Sequence, residues 1–386
     1  MRVLSFSYCY PNREQPTWGV FIHQRLVALA RREELRVCSP VPWFPGITAT
    51  RADPGPEQDS WEGLEVHRPR FFYFPGVLKN LDARFYARGV SRWLRAFSRK
   101  WTPDLLDAHF LWPDGVAVAS LARDVGLPYA ITLRGKIYEC LPIRSQREQC
   151  TKALEGASIV FSNSTLMAQE ARKLGTPESR LKVIPNGIDP DMFFPQDRQR
   201  CRQALGLPLE ARILVTVAHL GHRKGHIEVI RALAGLPGDV VLVIVGGPAQ
   251  GGTSEKLEAV ASECGVKERL LLPGRQPYEK VPLYLNAADV GVLASYREGC
   301  PNAVLETLAC GRPVVATDVG AVRDILPQPD AGRIVPLREV AALRNALVDV
   351  LGRDWEPGKV VERSGVRSWD EVAGEVQSML VGVLSR

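Results

Sequence analysis

The chain contains the run Arg297-Glu298-Gly299-Cys300-Pro301-Asn302-Ala303-Val304-Leu305-Glu306, which continues into Cys310-Gly311-Arg312-Pro313-Val314-Val315-Ala316-Thr317. One carboxylate, Glu298, lies in a turn, and a second, Glu306, follows on the helix that the turn opens. Pro301 suits the first position of a helix, so the backbone N–H groups around Ala303 and Val304 are expected to lack intrahelical partners. Such a helix start attracts an anion.

The two carboxylates suit a ligand that has hydroxyl groups at both ends and negative charge in the middle. Glu298 lies beside the expected anion, whereas Glu306 lies two turns further along the helix and is placed to accept hydrogen bonds from hydroxyl groups. A nucleotide sugar has this layout, because a diphosphate joins its sugar to its ribose.

These residues and their spacing resemble the Glu-x7-Glu signature of the retaining family 4 (group 1) glycosyltransferases, which have the GT-B fold. The resemblance implies that Glu298 contacts the hydroxyls of the donor sugar and that Glu306 contacts the ribose. It also implies that the helix start holds the diphosphate, with the residues Gly299, Cys300, Pro301, Asn302 and Ala303. Glutamate pairs alone are usually solvated charges, so the specificity lies in the complete run through Gly311 and Pro313 into an apolar strand.

Length and charge set broad limits. At 386 residues the chain exceeds the size at which one hydrophobic core keeps growing, so two domains are expected. The 49 basic and 43 acidic residues give a net charge of +6, which suits nucleic acid, acidic lipid or diphosphate and distinguishes none of them. With the family resemblance, the expected partners are a nucleotide-sugar donor and a glycan or lipid-linked acceptor, and no nucleic acid.

Cysteine usage and the N-terminus indicate a cytoplasmic protein. The eight cysteines are scattered, without a Cys-x-x-Cys pair or a His/Cys metal spacing, which is typical of reduced thiols in the cytosol. The apolar run at residues 1–6 is too short for a secretory segment, and no stretch has the length of a membrane span. Asp189-Pro190-Asp191 looks like an Asp-x-Asp metal motif, but it lies in a turn between domains, so no metal requirement is expected.

Short β-branched runs alternate with helical stretches along the whole chain. The expected strands form a first series at residues 2–9, 35–39, 105–110, 129–133, 159–162 and 182–184, and a second at 213–218, 240–245, 270–272, 290–294, 314–317 and 334–335. Alternation at this spacing predicts parallel sheets with helices on both faces. Two such series predict an α/β protein with two Rossmann-like halves.

The run Pro185-Asn186-Gly187-Ile188-Asp189-Pro190 has the turn chemistry that separates domains. With the resemblance, it implies an N-terminal acceptor-binding domain at 1–185 and a C-terminal donor-binding domain at 186–365. A final helix within 366–386 is expected to cross back onto the N-terminal domain. Since ligands bind beyond the carboxyl ends of parallel strands, two facing GT-B domains are expected to enclose a cleft. The segment 45–56 is expected to be a flexible loop.

A cluster of cations follows the expected strand at 213–218, in the run His219-Leu220-Gly221-His222-Arg223-Lys224-Gly225-His226. Cations in a strand-to-helix loop can neutralise the charge that develops on a departing nucleoside diphosphate. Lys224 with Gly225 resembles the family's diphosphate-binding Lys-Gly pair. His219 stands where the family usually has arginine, which leaves Arg223 as a helper. A solvated basic turn is the alternative interpretation.

Two further loops are assigned to the donor by resemblance. Gly274 and Arg275 follow the strand expected at 270–272, where the family places a loop against the nucleotide base. Gly19 lies in the loop after the first strand, and a residue without a Cβ lets the backbone approach a phosphate or sugar. Because backbone groups usually contact the base, the donor can be a UDP-sugar or a GDP-sugar. No separate cofactor is expected.

Arg134 ends the segment Tyr129-Ala130-Ile131-Thr132-Leu133-Arg134-Gly135, which resembles a family strand that commonly ends in Thr-x-His-Gly. Arginine donates several hydrogen bonds but stays protonated, so it cannot act as a base in place of the histidine. The resemblance implies a front-face mechanism in which the leaving phosphate oxygen takes the acceptor proton and Arg134 stabilises charge. An ion pair between the domains is the alternative role for this residue.

The acceptor side is less defined. His109 ends the strand expected at 105–110 and resembles a family histidine near the acceptor, although a lone histidine at such a place is more often a packed structural residue. Trp112 and Asp114 follow it and are expected to line an acceptor pocket.

Residues 84–101 have helical amphipathicity. Arginines form one face and apolar side chains the other: Arg84, Arg88, Arg92, Arg95 and Arg99 against Tyr86, Val90, Trp93, Leu94, Phe97 and Trp101. One interpretation is a core helix with solvated arginines, and another is docking on the acidic inner membrane surface. The two are compatible if the apolar face lies in the core and the arginines face lipid.

Taken together, these features predict a cytoplasmic, metal-independent, retaining glycosyltransferase of polysaccharide or glycolipid assembly, with Glu298, Arg134 and Lys224 as its catalytic residues. A nucleotide-sugar 2-epimerase is one alternative, although it needs an acid/base set and histidines are sparse here. A non-catalytic nucleotide-sugar-binding partner subunit is another, favoured by the unusual residues at 134 and 219. An oxidoreductase is disfavoured because no Gly-x-Gly-x-x-Gly follows the first strand.

Overall fold

The computed structural model describes residues 1–45, 57–249 and 252–385. Except for Pro45, the loop predicted at 45–56 lies outside the described residues. The chain divides into two compact units, one of Met1–Asn186 with Trp369–Arg386 and the other of Gly187–Ser368. The division falls one residue after the predicted boundary between 185 and 186.

The described strands between residues 34 and 72 follow one another directly, and the others alternate with helices as expected. The first unit contains β1 (Arg2–Phe6), β2 (Glu34–Cys38), β3 (Val41–Trp43), β4 (Gln58–Trp61), β5 (Leu64–His67), β6 (Arg70–Phe72), β7 (Leu105–His109), β8 (Tyr129–Leu133), β9 (Ile159–Ser162) and β10 (Leu181–Val183). The second contains β11 (Arg212–Val217), β12 (Val240–Val245), β13 (Leu270–Gly274), β14 (Val290–Leu293), β15 (Val314–Thr317) and β16 (Gly332–Val335).

The helices in chain order are α1 (Val20–Ala30), α2 (Asp82–Ser98), α3 (Val116–Val125), α4 (Ile137–Cys140), α5 (Arg144–Gly156), α6 (Thr165–Lys173), α7 (Arg198–Leu205), α8 (His226–Ala234), α9 (Ser254–Glu263), α10 (Val281–Ala287), α11 (Asn302–Ala309), α12 (Val322–Ile325), α13 (Val340–Leu351), α14 (Pro357–Ser364) and α15 (Trp369–Leu384).

In the first unit, eight strands form one sheet in the order β10-β9-β8-β7-β1-β2-β5-β4, with β3 and β6 paired separately. All pairs in the eight-stranded sheet are parallel except β4 with β5. The strands β3 to β6 were not predicted, because they are short and carry polar residues or a proline. The order of the strands reverses between β1 and β7. In doubly wound folds, ligands bind beyond the carboxyl ends of the strands at such a reversal.

Alternating side chains of the first sheet supply two hydrophobic layers. Leu4 and Phe6 pack with α2 and α3 on one face, while Val3 packs with α1 and α15 on the other. The side chain of Trp369 at the start of α15 is buried there, and its Nε1–H donates to Gln24 Oε1 at 3.0 Å. The expected return of the last helix to the N-terminal domain is therefore confirmed.

The second unit is a six-stranded, fully parallel sheet in the order β13-β12-β11-β14-β15-β16. This is the 3-2-1-4-5-6 order of a doubly wound dinucleotide-binding fold. Val243 and Val315, in the central part of this sheet, are fully buried between helical layers. The topological switch lies between β11 and β14, and the loops that follow these two strands contain the predicted cation cluster and the run at 297–306.

Candidate functional site

Lys224 and Glu298 come together at the switch point of the second unit. The Lys224 Nζ lies 2.6 Å from Glu298 Oε1, and both side chains are largely but not fully buried. Residues His222–Lys224 form one tight helical turn, which ends at Gly225 with a φ of +66°. A Cβ on Gly225 would lie 2.0 Å from the carbonyl oxygen of Ala294. Glycine is therefore required here for the loop after β11 to approach the end of β14 and bring the two charges into contact.

His219 does not replace the family's arginine as a permanent charge. Its Nδ1 accepts a hydrogen bond from the Gly221 N–H at 3.1 Å, and its carbonyl oxygen accepts one from His226 Nε2 at 3.1 Å. Burial and the nearby Lys224 cation lower the pKa of His219 below its ordinary value. Lys224 thus provides the charge beside Glu298, while the exposed Arg223 uses its carbonyl oxygen to accept the N–H of Tyr296 at 2.8 Å.

The turn before α11 is fixed by the loop after β15. The Gly299 carbonyl oxygen accepts the Ala321 N–H at 2.8 Å, and a Cβ on Gly320 would lie 2.3 Å from that same oxygen. The Val304 N–H donates to the Pro301 carbonyl oxygen at 3.0 Å. The prediction that the Val304 N–H lacks an intrahelical partner is therefore wrong, because the first turn of α11 closes tightly.

Glu306 is buried on α11, with 7% of its surface exposed. The Tyr278 hydroxyl donates to its Oε1 at 2.9 Å. Burial raises the pKa of Glu306 to about 7, although the hydrogen bond from Tyr278 opposes this shift. A carboxylate in this state accepts further hydrogen bonds readily when hydroxyl groups of a ligand replace the lost hydration.

The remaining glycines and arginine assigned to the donor have local roles in the structure. Gly274 ends β13 with a φ of +75°, and its carbonyl oxygen accepts the Gly246 N–H at 3.0 Å. The exposed Arg275 lies against Gly247, where a Cβ would be 3.2 Å from the Arg275 Nε. Gly19 has a φ of +76°, and a Cβ there would lie 2.3 Å from a backbone oxygen of the loop after β1. Packing inside this loop thus gives a second reason for glycine at 19.

Arg134 and His109 form a buried network in the first unit. Arg134, only 2% exposed, donates through NH2 to His109 Nδ1 at 3.3 Å and through NH1 to Asn186 Oδ1 at 3.3 Å. The His109 Nε2 lies 3.0 Å from Asp107 Oδ2 and 3.1 Å from Ser5 Oγ. The geometry fits a His109 tautomer that carries its proton on Nε2.

Burial lowers the pKa of His109 to about 4, although the Asp107 carboxylate opposes the shift. The pKa of Asp107 lies at about 2, because the contacts with His109, Arg25 and Ser5 outweigh the effect of burial, which acts in the other direction. His109 is thus neutral near pH 7 and fully buried. The structure places it under the strand ends as a packed residue, and its position supports Arg134.

Trp112 and Asp114 are separated in the structure. Trp112 lines a cavity of about 510 Å³ at the carboxyl ends of the strands of the first unit. Asp114 is fully buried and accepts the Tyr8 N–H on Oδ1 at 3.1 Å. Burial raises the pKa of its carboxyl well above the ordinary value. The prediction that Asp114 lines a pocket is therefore wrong, because its side chain anchors the loop after β1.

Three basic residues that were not predicted line the same cavity: Arg68, Lys79 and Lys136. Arg68 follows β5, one of the strands that were not predicted, and Lys79 precedes α2. These residues share no sequence motif, because they come from separate parts of the chain. The sequence did contain one indication that Lys136 lies near a binding site, because this residue directly follows the Arg134-Gly135 strand end.

The amphipathic segment forms α2 as predicted. Its apolar side chains Tyr86, Val90, Leu94 and Phe97 are buried against the sheet. All five arginines of the polar face are exposed: Arg84, Arg88, Arg92, Arg95 and Arg99. The prediction of a buried apolar face is confirmed, and a solvent-facing row of five cations follows from it.

Within residues 1–45, 57–249 and 252–385, no group of three or more His, Cys, Asp or Glu is arranged to hold a metal ion. None of the helices in this part of the chain combines the length and apolarity needed to cross a membrane.

Both halves of the chain match family models. Residues 197–362 match Glycosyl transferases group 1, and residues 19–192 match Glycosyltransferase Family 4. TuaC of Bacillus subtilis, whose name assigns it provisionally as a teichuronic acid biosynthesis glycosyltransferase, is 32% identical over 84% of this chain and 83% of its own. The chain therefore belongs to the group 1, or family 4, glycosyltransferases.

A second relative agrees with this assignment, and two solved structures share the fold. The D-inositol 3-phosphate glycosyltransferase of Mycobacterium tuberculosis is 31% identical over 79% of this chain, which spans only 62% of that relative. Sucrose-phosphate synthase of Thermosynechococcus elongatus has a TM-score of 0.81 at 19% identity, covering 100% of this chain and 99% of the other. HepE of Anabaena in complex with UDP-glucose has a TM-score of 0.74 at 17% identity, with 99% and 100% covered. The fold is GT-B.

Proposed function

We propose that this glycosyltransferase transfers a sugar from a nucleoside diphosphate to an acceptor hydroxyl with retention of configuration. The observation that carries the proposal is the contact of Lys224 with Glu298 at the switch point of a doubly wound sheet, with Glu306 on the helix that follows. A cation and two carboxylates are thereby held where such sheets bind nucleotides. The solved HepE complexes contain UDP and UDP-glucose, which supports a nucleotide-sugar donor here.

In this proposal Lys224 contacts the diphosphate, Glu298 the donor sugar, and Glu306 the ribose. The ion pair between Lys224 and Glu298 opens so that the ammonium group follows the phosphate charge. The Lys224 cation and the N-terminus of α11 then stabilise the leaving group. This arrangement supports transfer without a metal ion. The acceptor proton passes to the leaving phosphate oxygen, because Arg134 stays protonated and His109 is buried.

The acceptor and the location are part of the same proposal. The name of TuaC refers to teichuronic acid biosynthesis, and we infer for this chain an acceptor of polysaccharide or glycolipid assembly at the cytoplasmic face of the membrane. The exposed arginines of α2 supply a surface that attracts acidic lipid headgroups, at about 1 kcal/mol for each arginine near the bilayer. Because the apolar face of α2 is buried, this helix would contact the membrane through its exposed arginines.

The proposal is tested by a screen of the purified protein against UDP-, GDP- and ADP-sugars with EDTA present. We expect one donor to raise the melting temperature and to be hydrolysed slowly to free sugar without an acceptor. Stabilisation without release of sugar, even with acceptor lipids added, would instead identify a donor-binding partner subunit. An absolute requirement for a divalent cation would contradict the metal-independent mechanism.

A further inference from the structure

Two cysteines of the first unit meet in the structure without a sequence motif that predicts it. Cys140 is the last residue of α4, and Cys150 lies ten residues later, within α5. Their sulfur atoms lie 3.7 Å apart, and the Cys150 thiol donates a weak hydrogen bond to the Cys140 sulfur. The Cys140 thiol in turn donates to the Ile137 carbonyl oxygen at 3.2 Å. The two thiols therefore form a directed pair, with Cys150 as donor and Cys140 as acceptor.

The two thiols differ in their access to small molecules. Cys140 borders the cavity of about 510 Å³ in the first unit, together with Ile143 and Gln146, and 2% of its surface is exposed. Cys150 is fully buried and is not among the residues that line this cavity. A small reagent that enters the cavity therefore meets Cys140 first.

The contact also makes the two thiols chemically different. The hydrogen bond from Cys150 lowers the pKa of the Cys140 thiol below its ordinary value, although burial opposes this shift. The same contact raises the pKa of Cys150, and burial acts in the same direction. Cys140 is thus the thiol that ionises first, and the thiolate is the form of cysteine that reacts with oxidants.

A buried free cysteine usually packs as a small apolar residue. Cys310, fully buried in the second unit, fits this description, since burial raises the pKa of its thiol. Cys140 differs from it in three respects, because a second thiol contacts it, the pKa shifts in the opposite direction and a cavity adjoins it. Disulfides of cytosolic proteins are usually transient and either catalytic or redox-sensing, and these three features suit a transient one.

A disulfide between the two cysteines would join α4 to α5. The sulfur atoms would have to move roughly 1.7 Å towards each other, from 3.7 Å to a bond length of about 2.05 Å. Both atoms lie at the end of a single rotatable χ1 bond, and α4 is one short turn, Ile137–Cys140, that ends at Cys140. The approach therefore involves two side-chain rotations and the end of a short turn, and no long helix has to move.

We propose that Cys140 and Cys150 are a redox modification site, at which a hydroperoxide converts the two thiols reversibly into a disulfide. First, the Cys140 thiolate attacks a peroxide oxygen. The S–O bond forms, the O–O bond breaks, and the departing oxygen takes a proton and leaves as water or an alcohol. Second, the Cys150 sulfur attacks the sulfenic sulfur of Cys140. The S–S bond forms, the S–O bond breaks, and hydroxide leaves as water with the Cys150 proton.

The two thiols thereby lose two electrons, which the peroxide gains. A dithiol reductant reverses the modification by thiol–disulfide exchange, in which the reductant becomes the disulfide. The modification involves neither donor nor acceptor, so it does not depend on the proposed function.

The test is a peptide map of the full chain. The reduced protein is treated with hydrogen peroxide under native conditions, its remaining thiols are blocked with N-ethylmaleimide in denaturant, and it is digested with trypsin. Cleavage after basic residues places Cys140 in peptide 137–144 and Cys150 in peptide 148–152. We expect these two peptides to be linked, at about 2 Da below their summed mass because two hydrogens are lost, and to separate after treatment with dithiothreitol. The buried Cys201 and Cys310 are internal controls and should remain free.

Three variants assign the steps. Cys150→Ala is expected to slow the oxidation of Cys140 and to stop it at the sulfenic acid, which dimedone traps, because the second thiol is missing. Cys140→Ala is expected to leave Cys150 reduced, since that thiol is fully buried. Cys201→Ala, at another buried cysteine, is the matched control and should form the link as the wild type does. The map of the wild-type protein decides the proposal even if a variant does not fold.

A link that forms only after unfolding in urea would overturn the proposal, because the folded chain would then keep the thiols apart. A chain that stays fully reduced would overturn it as well, as would disulfides that join Cys140 to a different cysteine. Trapping of Cys150 by dimedone in the Cys140→Ala variant would overturn the order of the two steps. Donor hydrolysis by the reduced protein tests the proposed function separately, whatever the peptide map shows.

Discussion

Glu306 combines burial with a carboxyl pKa near neutrality. Its pKa is raised from an ordinary value of 4.5 to about 7 in the folded protein. A raised pKa means that the folded state holds its proton more firmly than the unfolded state. The contribution to stability is therefore complete below about pH 4.5 and is lost as the pH rises through 7.

Replacing Glu306 with Gln is expected to remove this pH dependence. At pH values above 7 the variant should be more stable than the wild type by roughly 3 kcal/mol, because no buried charge has to form. Below pH 4.5 the two proteins should be equal, since both groups are neutral there. Urea unfolding at both ends of this range measures the difference. A constant difference across the range would contradict the raised pKa.

Donor binding gives the same residue a second test. If ribose hydroxyls donate to the Glu306 carboxylate, the affinity for the donor should increase as the pH rises through about 7. Glu306→Gln should abolish this increase and weaken binding at high pH by roughly 1.5 to 3 kcal/mol, the value of a hydrogen bond to a charged group. Titration of the donor at several pH values checks it. A variant that binds the donor as tightly as the wild type would refute the ribose contact.

Lys224 is expected to matter more than any exposed cation of its unit. Lys224→Ala removes the charge that stabilises the leaving diphosphate and leaves Glu298 without its 2.6 Å partner, so kcat/KM for donor hydrolysis should fall roughly 10²- to 10³-fold. Lys256→Ala, on the surface of α9, is the matched control and should change little. Equal rates for the two variants would show that the loop after β11 is only a solvated basic turn.

At the scale of single elements, α2 separates two roles along one helix. Its apolar side chains are buried in the first unit, while its four arginines and Arg99, which directly follows it, are exposed. One face of α2 thus packs into the core, whereas the other face lies in solvent and takes no part in core packing. Substitutions on the exposed face should therefore change membrane binding without changing stability, because they remove no buried contact.

Changing Arg84, Arg88 and Arg92 to Gln is expected to weaken binding to vesicles that contain phosphatidylglycerol by about a hundredfold, at about 1 kcal/mol for each arginine. Binding to pure phosphatidylcholine should not change. The matched control replaces three exposed basic residues of α5 and α6, namely Arg147, Lys152 and Lys173. Co-sedimentation measures both variants. If the control loses as much binding as the α2 variant, general positive charge and not α2 attracts the protein to lipid.

At the scale of the whole molecule, the last residues of the chain stabilise its first unit. The α15 side chains Trp369, Val372, Val376 and Leu380 are buried with those of α1. Arg32, in the turn after α1, and Asp370 form an ion pair at 2.6 Å. Contacts between the two ends of the chain mean that removal of α15 would expose the apolar side of α1.

Trp369→Ala is expected to lower the free energy of unfolding of the first unit by roughly 3 to 5 kcal/mol, since it leaves a large buried cavity and removes the bond to Gln24. Amide hydrogen exchange should become faster in α1 and stay unchanged in β12 of the second unit. Val381→Ala, at an exposed position of the same helix, is the control. Unchanged exchange in α1 would show that α15 does not stabilise this unit.

Local sequence patterns were sufficient to predict much of the fold of this protein. The alternation of β-branched runs with helical stretches predicted the parallel strands of both units, because strand and helix periodicities are read from neighbouring residues. The run from Glu298 to Glu306 similarly predicted a turn that opens a helix and the family to which the chain belongs. Its site roles remain predictions that the donor experiments test.

Only the tertiary structure decided which side chains meet and which are buried. Asp114 resembles a pocket residue in sequence, yet its carboxyl is buried against Tyr8, because burial depends on what packs over a residue and not on its type. The strands β3 to β6 escaped prediction since their polar residues acquire partners only in the folded sheet. Likewise, Arg68 and Lys136 are far apart in sequence, and the sheet alone brings them to one cavity. The sequence determined the class of fold and its donor-side motif, whereas long-range packing determined which charged side chains line the cavity of the first unit.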